Sequence, residues 1–163
     1  MRPTQYREKI MFNFISKLFG KESSTKAQVN QKANENKIKS VLDGIQNAYF
    51  EQAEKGNAEA QCTVGSFYID GTGVKQSYVK AAEWFRKSAA QDHPEGVFNL
   101  GVCYYQGKGV EENNLKAFEL FVKARDLGYN LPAGLLEDVY KHILLKNNLP
   151  SDVIANMATK IWI

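Results

Sequence analysis

The chain has 163 residues, 44% hydrophobic and 24% charged, with a formal net charge of +3. That is an ordinary globular balance, long enough for one domain with a real core. So small a charge gives no case for nucleic-acid binding. Two cysteines make no disulfide framework, and no stretch is long and apolar enough to span a bilayer.

Charge is distributed unevenly. Residues 1–40 hold nine Lys/Arg against three Asp/Glu, and residues 41–163 hold twelve against fifteen. A basic arm therefore precedes a mildly acidic body. Such an arm can touch anionic lipid or acidic protein, or simply keep the end soluble. Cys62 and Cys103 stand outside any metal-ligand spacing and read as buried, reduced thiols of a cytoplasmic protein.

Taken in chain order, Arg2, Arg7 and Lys9 come before the run Ile10-Met11-Phe12-Asn13-Phe14-Ile15. Asn13 and Lys17 interrupt that run and no small-x-small site follows, so no secretion signal is expected. Met11 is a second candidate for the natural start. Ile10, Met11, Phe14, Ile15, Leu18 and Phe19 fall at helical spacing among Lys9, Lys17 and Lys21. Residues 1–20 thus read as a basic amphipathic segment with a short helix over 10–19. It could lie on a membrane surface, dock on a partner, or pack against the rest of the chain.

Residues 21–40 offer only Val29 and Ile38 as large apolar anchors, too few to offset the entropy of ordering, and a flexible polar linker is expected. From Val41 the pattern changes. Val41, Leu42, Ile45, Tyr49, Gln52 and Ala53 share one helical face, and Gly56 stops that helix. The folded domain is therefore placed at 41–163.

A shift of 36 residues superposes the next two stretches without a gap. Gly65 meets Gly101, Tyr68 meets Tyr104, and Gly71, Gly73 and Val74 meet Gly107, Gly109 and Val110. Lys80 and Ala81 meet Lys116 and Ala117, Phe85 meets Phe121, and Lys87 meets Lys123. This is an internal repeat, with full units at about 57–92 and 93–128. In each unit the pattern predicts a first helix (58–69, then 95–105), a glycine turn, and a second helix (78–90, then 115–126). Pro94 suits a first helical turn. Val74 and Val110 are apolar latches for the turns. Small residues (Ala60, Gly65, Ala81, and Gly96, Gly101, Ala117) mark close helix approach, and large ones (Tyr68, Trp84, Phe85, and Tyr104, Leu120, Phe121) fill between. A glycine inside a helix costs about 1 kcal/mol in propensity, so its recurrence at Gly65 and Gly101 implies a packing reason.

The pattern A-x-x-x-V-G-x-x-Y-x-x-G-x-G-V followed by K-A-A-x-W-F-x-K-S-A resembles the Sel-one-like repeat, a relative of the tetratricopeptide repeat. The second copy is G-x-x-x-L-G-x-x-Y-x-x-G-x-G-V followed by K-A-x-x-L-F-x-K-A. The resemblance implies an all-α solenoid, an α-α superhelix of antiparallel helix pairs. Residues 41–56 look like the second helix of a preceding unit. Residues 129–145 look like the first helix of a decayed third unit, where Leu136 and Tyr140 keep the pattern and Glu137 replaces the glycine. Ser151-Asp152 open a last helix that would cap the array.

The resemblance further implies an adaptor that binds a protein or peptide on the concave face, which the first helix of each pair lines. With Ala60, Val64 and Tyr68 facing the core, the opposite stripe is Glu59, Cys62, Ser66, Ile69 and Asp70. In the second unit it is Glu95, Phe98, Val102, Tyr105 and Gln106. Phe98, Val102 and Tyr105 are either an anchor patch for a partner or a surface covered by a terminal helix of the same chain. An immunity or inhibitor protein against a toxin enzyme, and a peripheral membrane scaffold held by residues 10–19, are the competing functions.

No catalytic set, metal site or cofactor is expected. His93 and His142 pair with no Cys or carboxylate motif, and there is no Walker sequence or nucleophile elbow. The Gly71-Thr72-Gly73 and Gly107-Lys108-Gly109 turns lack a preceding strand and read as structural.

Overall fold

The computed structural model describes residues 31–146 and 149–162, and every regular element among them is an α-helix. The helices are α1 (31–54), α2 (Ala58–Asp70), α3 (Tyr78–Ala89), α4 (Pro94–Gln106), α5 (Asn114–Asp126), α6 (Leu135–Lys146) and α7 (Ser151–Trp162). The amphipathic segment 10–19 and the first half of the expected linker lie outside the described residues. Internal contacts divide the chain into one unit ending at Ile45 and another from Gln46 to Ile163.

Of the first unit, the described part is residues 31–45 of α1, exposed throughout. This helix is already formed at residue 31, ten residues before Val41, where apolar periodicity placed its start. Apolar periodicity marks the buried face of a helix, not its length. The stretch Gln31 to Ser40 has Gln, Lys, Ala and Glu, which lose little side-chain entropy in a helix, and it contains no glycine or proline. One repeat earlier than Gly71 and Gly73 stand Glu35 and Lys37, so α1 runs straight through the position where the later units turn.

The second unit is built from helix pairs. α2 packs on α3 and α4 on α5, and α3 joins the two pairs by packing on α4. Capping defines each start. Asn57 Oδ1 accepts from the Ala60 amide at 2.8 Å, and His93 Nδ1 accepts from Gly96 at 3.2 Å, with Pro94 in the first turn. Ser77 and Asn113 cap the second helices in the same way. Gly71 (φ 73°) and Gly107 (φ 63°) end the first helices in the left-handed region, each amide returning to a carbonyl four residues back. The Ser77 amide then donates to Tyr68 O and the Asn113 amide to Tyr104 O, both at 2.9 Å, so the turn closes identically in both copies. Lys80 lies 5.3 Å from the Tyr68 ring centre and Lys116 5.2 Å from that of Tyr104, which explains why Lys and Tyr recur together.

A third landmark shares the 36-residue spacing. Gly56, Asp92 and Gly128 end α1, α3 and α5 with φ of 95°, 55° and 91°. Aspartate tolerates the left-handed region better than most residues with a Cβ, which hid this position from a reading of identities. The match at Gly56 sets the end of α1 in register with α3 and α5.

The interior forms three adjoining clusters. Ala53, Ala60, Val64 and Trp84 gather beside Tyr49, Phe50 and Phe67. Ala81, Phe85, Val97, Leu100 and Ala124 fill the junction between the pairs. Phe118, Phe121, Val139, Ile143 and Met157 form the third, where α5, α6 and α7 meet. A 36-residue step from Pro94 points to residue 130, yet α6 begins only at Leu135, after Gly134 at φ 78°. The third first helix is thus shortened, and Glu137 is half-buried on it. Arg125 donates to Lys160 O at 2.6 Å and so satisfies a carbonyl near the end of α7.

Gly65 and Gly101 sit where a side chain has no room. A Cβ at Gly65 would lie 2.5 Å from Phe85 Cε1, and one at Gly101 would lie 2.7 Å from Phe121 Cε1. Gly65→Ala should therefore destabilise the protein by roughly 1 to 2 kcal/mol, overpacking outweighing the propensity gain of about 1 kcal/mol. A lower urea midpoint at unchanged slope is the expected readout, partly restored in Gly65→Ala/Phe85→Leu. A midpoint that rises in the single variant would refute the packing role.

Candidate functional site

α2 and α4, the first helices of the two pairs, lie side by side on the inner face of the second unit. Between them is an open groove with a cavity of about 220 Å³. Ser66, Ile69 and Asp70 line it from α2, and Asn99, Val102 and Gln106 from α4. Phe85 and the buried Cys103 form its floor, and Lys108 reaches it from the second glycine turn. The lining combines apolar surface with hydroxyl and amide groups that donate and accept hydrogen bonds. Such a surface suits an extended peptide, whose backbone needs polar partners and whose side chains need apolar ones.

Of the stripe expected from the sequence, Ser66, Ile69, Asp70, Val102 and Gln106 come together here. Glu59 and Glu95 are exposed but stand outside the cavity lining. Cys62 is buried at 3% exposure, out of reach of a partner, and Asn99 donates to its sulfur at 3.4 Å. Phe98 stacks on Tyr129 with ring centres 4.5 Å apart and packs on Phe121 at 5.5 Å. Tyr105 meets His142 and Phe121 edge-on. Both aromatics thus contact later residues of the same chain, in α5, α6 and the link between them.

Four lining residues lie outside the expected stripe: Phe85 and Cys103, read as buried, and Asn99 and Lys108. Asn99 lies four residues after Glu95 and three before Val102, so the spacing Glu95, Asn99, Val102, Gln106 was a detectable helical face. The eye-catching Phe98 drew the stripe one residue aside. Lys108 was absorbed into a turn read as purely structural.

The thiols carry no reactive character. Burial, and after it the Glu95 charge, push the Cys62 thiol up to about 11, and burial likewise raises Cys103. Both cysteines are unpaired. Among the described residues no group of three or more His, Cys, Asp or Glu is placed to hold a metal ion, and no helix is long and apolar enough to cross a membrane.

The Sel1 repeat model matches residues 58–93 and 94–129, the two units that the geometry delimits. Residues 58–129 are thus two Sel1 repeats. Solved structures agree. The cysteine-rich protein B of Helicobacter pylori is 30% identical with a TM-score of 0.52, the match covering 54% of this chain and 66% of that one. A Sel1 repeat protein from Oxalobacter formigenes is 30% identical with a TM-score of 0.50, over 61% of this chain and 38% of that one. A protective antigen of uropathogenic Escherichia coli with the same repeat fold is 28% identical with a TM-score of 0.53, over 71% and 28%. This chain thus spans only part of each of these proteins. No curated protein matches it in sequence. Sel1-repeat proteins are in general helical modules for protein interaction.

In these Sel1 repeats the buried thiols give a direct check on the inner face. At pH 8 Cys62 in the folded chain should react with a chromogenic disulfide reagent roughly a hundredfold more slowly than in denaturant, from ionisation alone. The fold holds the thiol neutral while the unfolded chain ionises near 9.0, so stability should fall as pH rises from about 9 towards 11. Reaction of the folded protein at the denatured rate would contradict this burial.

Proposed function

We propose that the protein is an adaptor that takes an extended segment of a partner protein into the groove between α2 and α4. The observation that carries this reading is the cavity itself. It is open, about 220 Å³, and edged by Ser66, Asn99 and Gln106 around an apolar bed of Ile69 and Val102. That volume accommodates one apolar side chain, while the polar rim can bond the backbone on either side of it. Burying such a side chain stabilises a complex by about 1.5 to 3 kcal/mol, well short of the roughly 8 kcal/mol of a micromolar complex, so backbone hydrogen bonds and flanking contacts supply the rest.

Charge refines the partner. Asp70, Glu59 and Glu95 stand on the inner helices against Lys108, which favours a neutral to basic segment. The two unpaired, buried cysteines support a reducing, cytoplasmic setting.

A library of random linear peptides presented to the protein provides the test. Peptides recovered should bind Val102→Arg at least tenfold more weakly, because the side chain's stem would fill the cavity from a half-exposed position. Circular dichroism should show unchanged helicity. Equal affinity for the folded variant would remove the groove as the binding site.

A further inference from the structure

The inner stripes of α2 and α4 continue past the cavity. On α4 the face of Gln106, Val102 and Asn99 runs on by one turn to Glu95, and on α2 the face of Ser66 and Cys62 runs on to Glu59. The two glutamates are equivalent positions of the two repeats, each in the first turn of its helix. Both carboxylates act on the thiol of Cys62, so they meet at the same end of the groove. Tyr129 stands there too: burial, and after it the Glu95 charge, hold its hydroxyl in the neutral form.

This end of the groove is unbalanced in charge. Glu59 and Glu95 are exposed, and among the described residues neither forms an ion pair. A helix dipole favours an acid in the first turn, but any position of that turn serves it. Both repeats instead place the acid on the groove face, where two like charges stand together over a buried thiol. At the opposite end Asp70 shares the cavity lining with Lys108, which offsets its charge. The place for an added cation is therefore the Glu59 and Glu95 end.

We infer, resting on the groove reading above, that the bound segment carries a lysine or arginine about three residues from its apolar anchor, held by Glu59 and Glu95. Helix geometry sets that spacing. The lining runs from Asn99 to Gln106 on α4, and its middle lies near Val102, seven residues from Glu95. At about 1.5 Å per residue this is roughly 10 Å of helix, which an extended chain covers in about three residues at ~3.3 Å each. A guanidinium or ammonium group between the two carboxylates forms charge-assisted hydrogen bonds while its stem lies along the groove. The partner is thus defined by two features at a fixed distance: an apolar side chain for the cavity and a cation for the acidic end.

Selection from a random linear peptide library, run in parallel on the full chain and on Glu59→Gln/Glu95→Gln, tests the spacing. Peptides selected by the parent should share an apolar position with Lys or Arg three residues away. Those selected by the double variant should keep the apolar position and lose the basic one. A synthetic peptide of the parent consensus should bind the double variant about three- to tenfold more weakly. Replacing its basic residue with norleucine should cost the same against the parent and nothing further against the variant. Both losses should shrink at high salt. A parent pool with an apolar position but no basic residue at that spacing overturns the inference and leaves the groove reading standing, as does full affinity for the double variant. Equal binding to Val102→Arg removes the groove reading itself, and this inference with it.

Discussion

The contact of a helical glycine with a phenylalanine ring sets the geometry of each helix pair. Gly65 lies under Phe85 and Gly101 under Phe121, at separations that leave no space for a Cβ. Each glycine is unfavourable in its own helix, and each is retained because the ring fills the space above it. Close approach along one face brings the second helix near enough for the Ser77 and Asn113 amides to reach the Tyr68 and Tyr104 carbonyls. It also brings Lys80 and Lys116 over the tyrosine rings. Turn, latch and cation–π contact therefore follow from one steric choice made twice.

Stacking of one pair on the next depends on a different small residue. A Cβ at Gly96 would run into the Ser88 hydroxyl, and that hydroxyl already donates to Ala58 O at 2.7 Å. Ser88 is fully buried, so its hydrogen bond removes what would otherwise be a costly orphaned group. It ties α3 to the start of α2 while α4 passes close beside it. Gly109 has a comparable role at the other end of α4, where any side chain would strike the Tyr78 carbonyl. A glycine with φ of 75° is required there both by the backbone and by its neighbour.

Much of this was legible because packing residues repeat. Gly65 with Gly101 and Phe85 with Phe121 announced themselves at a fixed offset, and so did the turns. Features carried by unlike residues were not legible. Asp92 performs the turn that Gly56 and Gly128 perform, but an identity search passes over it. That residues 31–40 belong to α1 lay in propensity rather than in apolar pattern, because they form a helix without a buried face. Asn99 was overshadowed by Phe98, whose ring looks like a binding anchor in sequence. Its stacking on Tyr129 is a tertiary contact that helical spacing does not show.

The differences between the copies locate the groove. At equivalent positions on the inner face stand Cys62 and Phe98, Ser66 and Val102, Ile69 and Tyr105. In the second copy the larger members reach the third pair. Phe98 lies against Tyr129 and Tyr105 against His142, and these rings close the inner surface between α4 and α6. In the first copy the small Cys62 is met by Asn99 of α4 at its sulfur, and beside Ser66 the cavity stays open towards Asn99 and Val102. Two identical repeats would give either two grooves or none. A small residue in one copy and an aromatic in the next leave the first junction open and fill the second, which is why the groove proposed for a partner segment lies between α2 and α4.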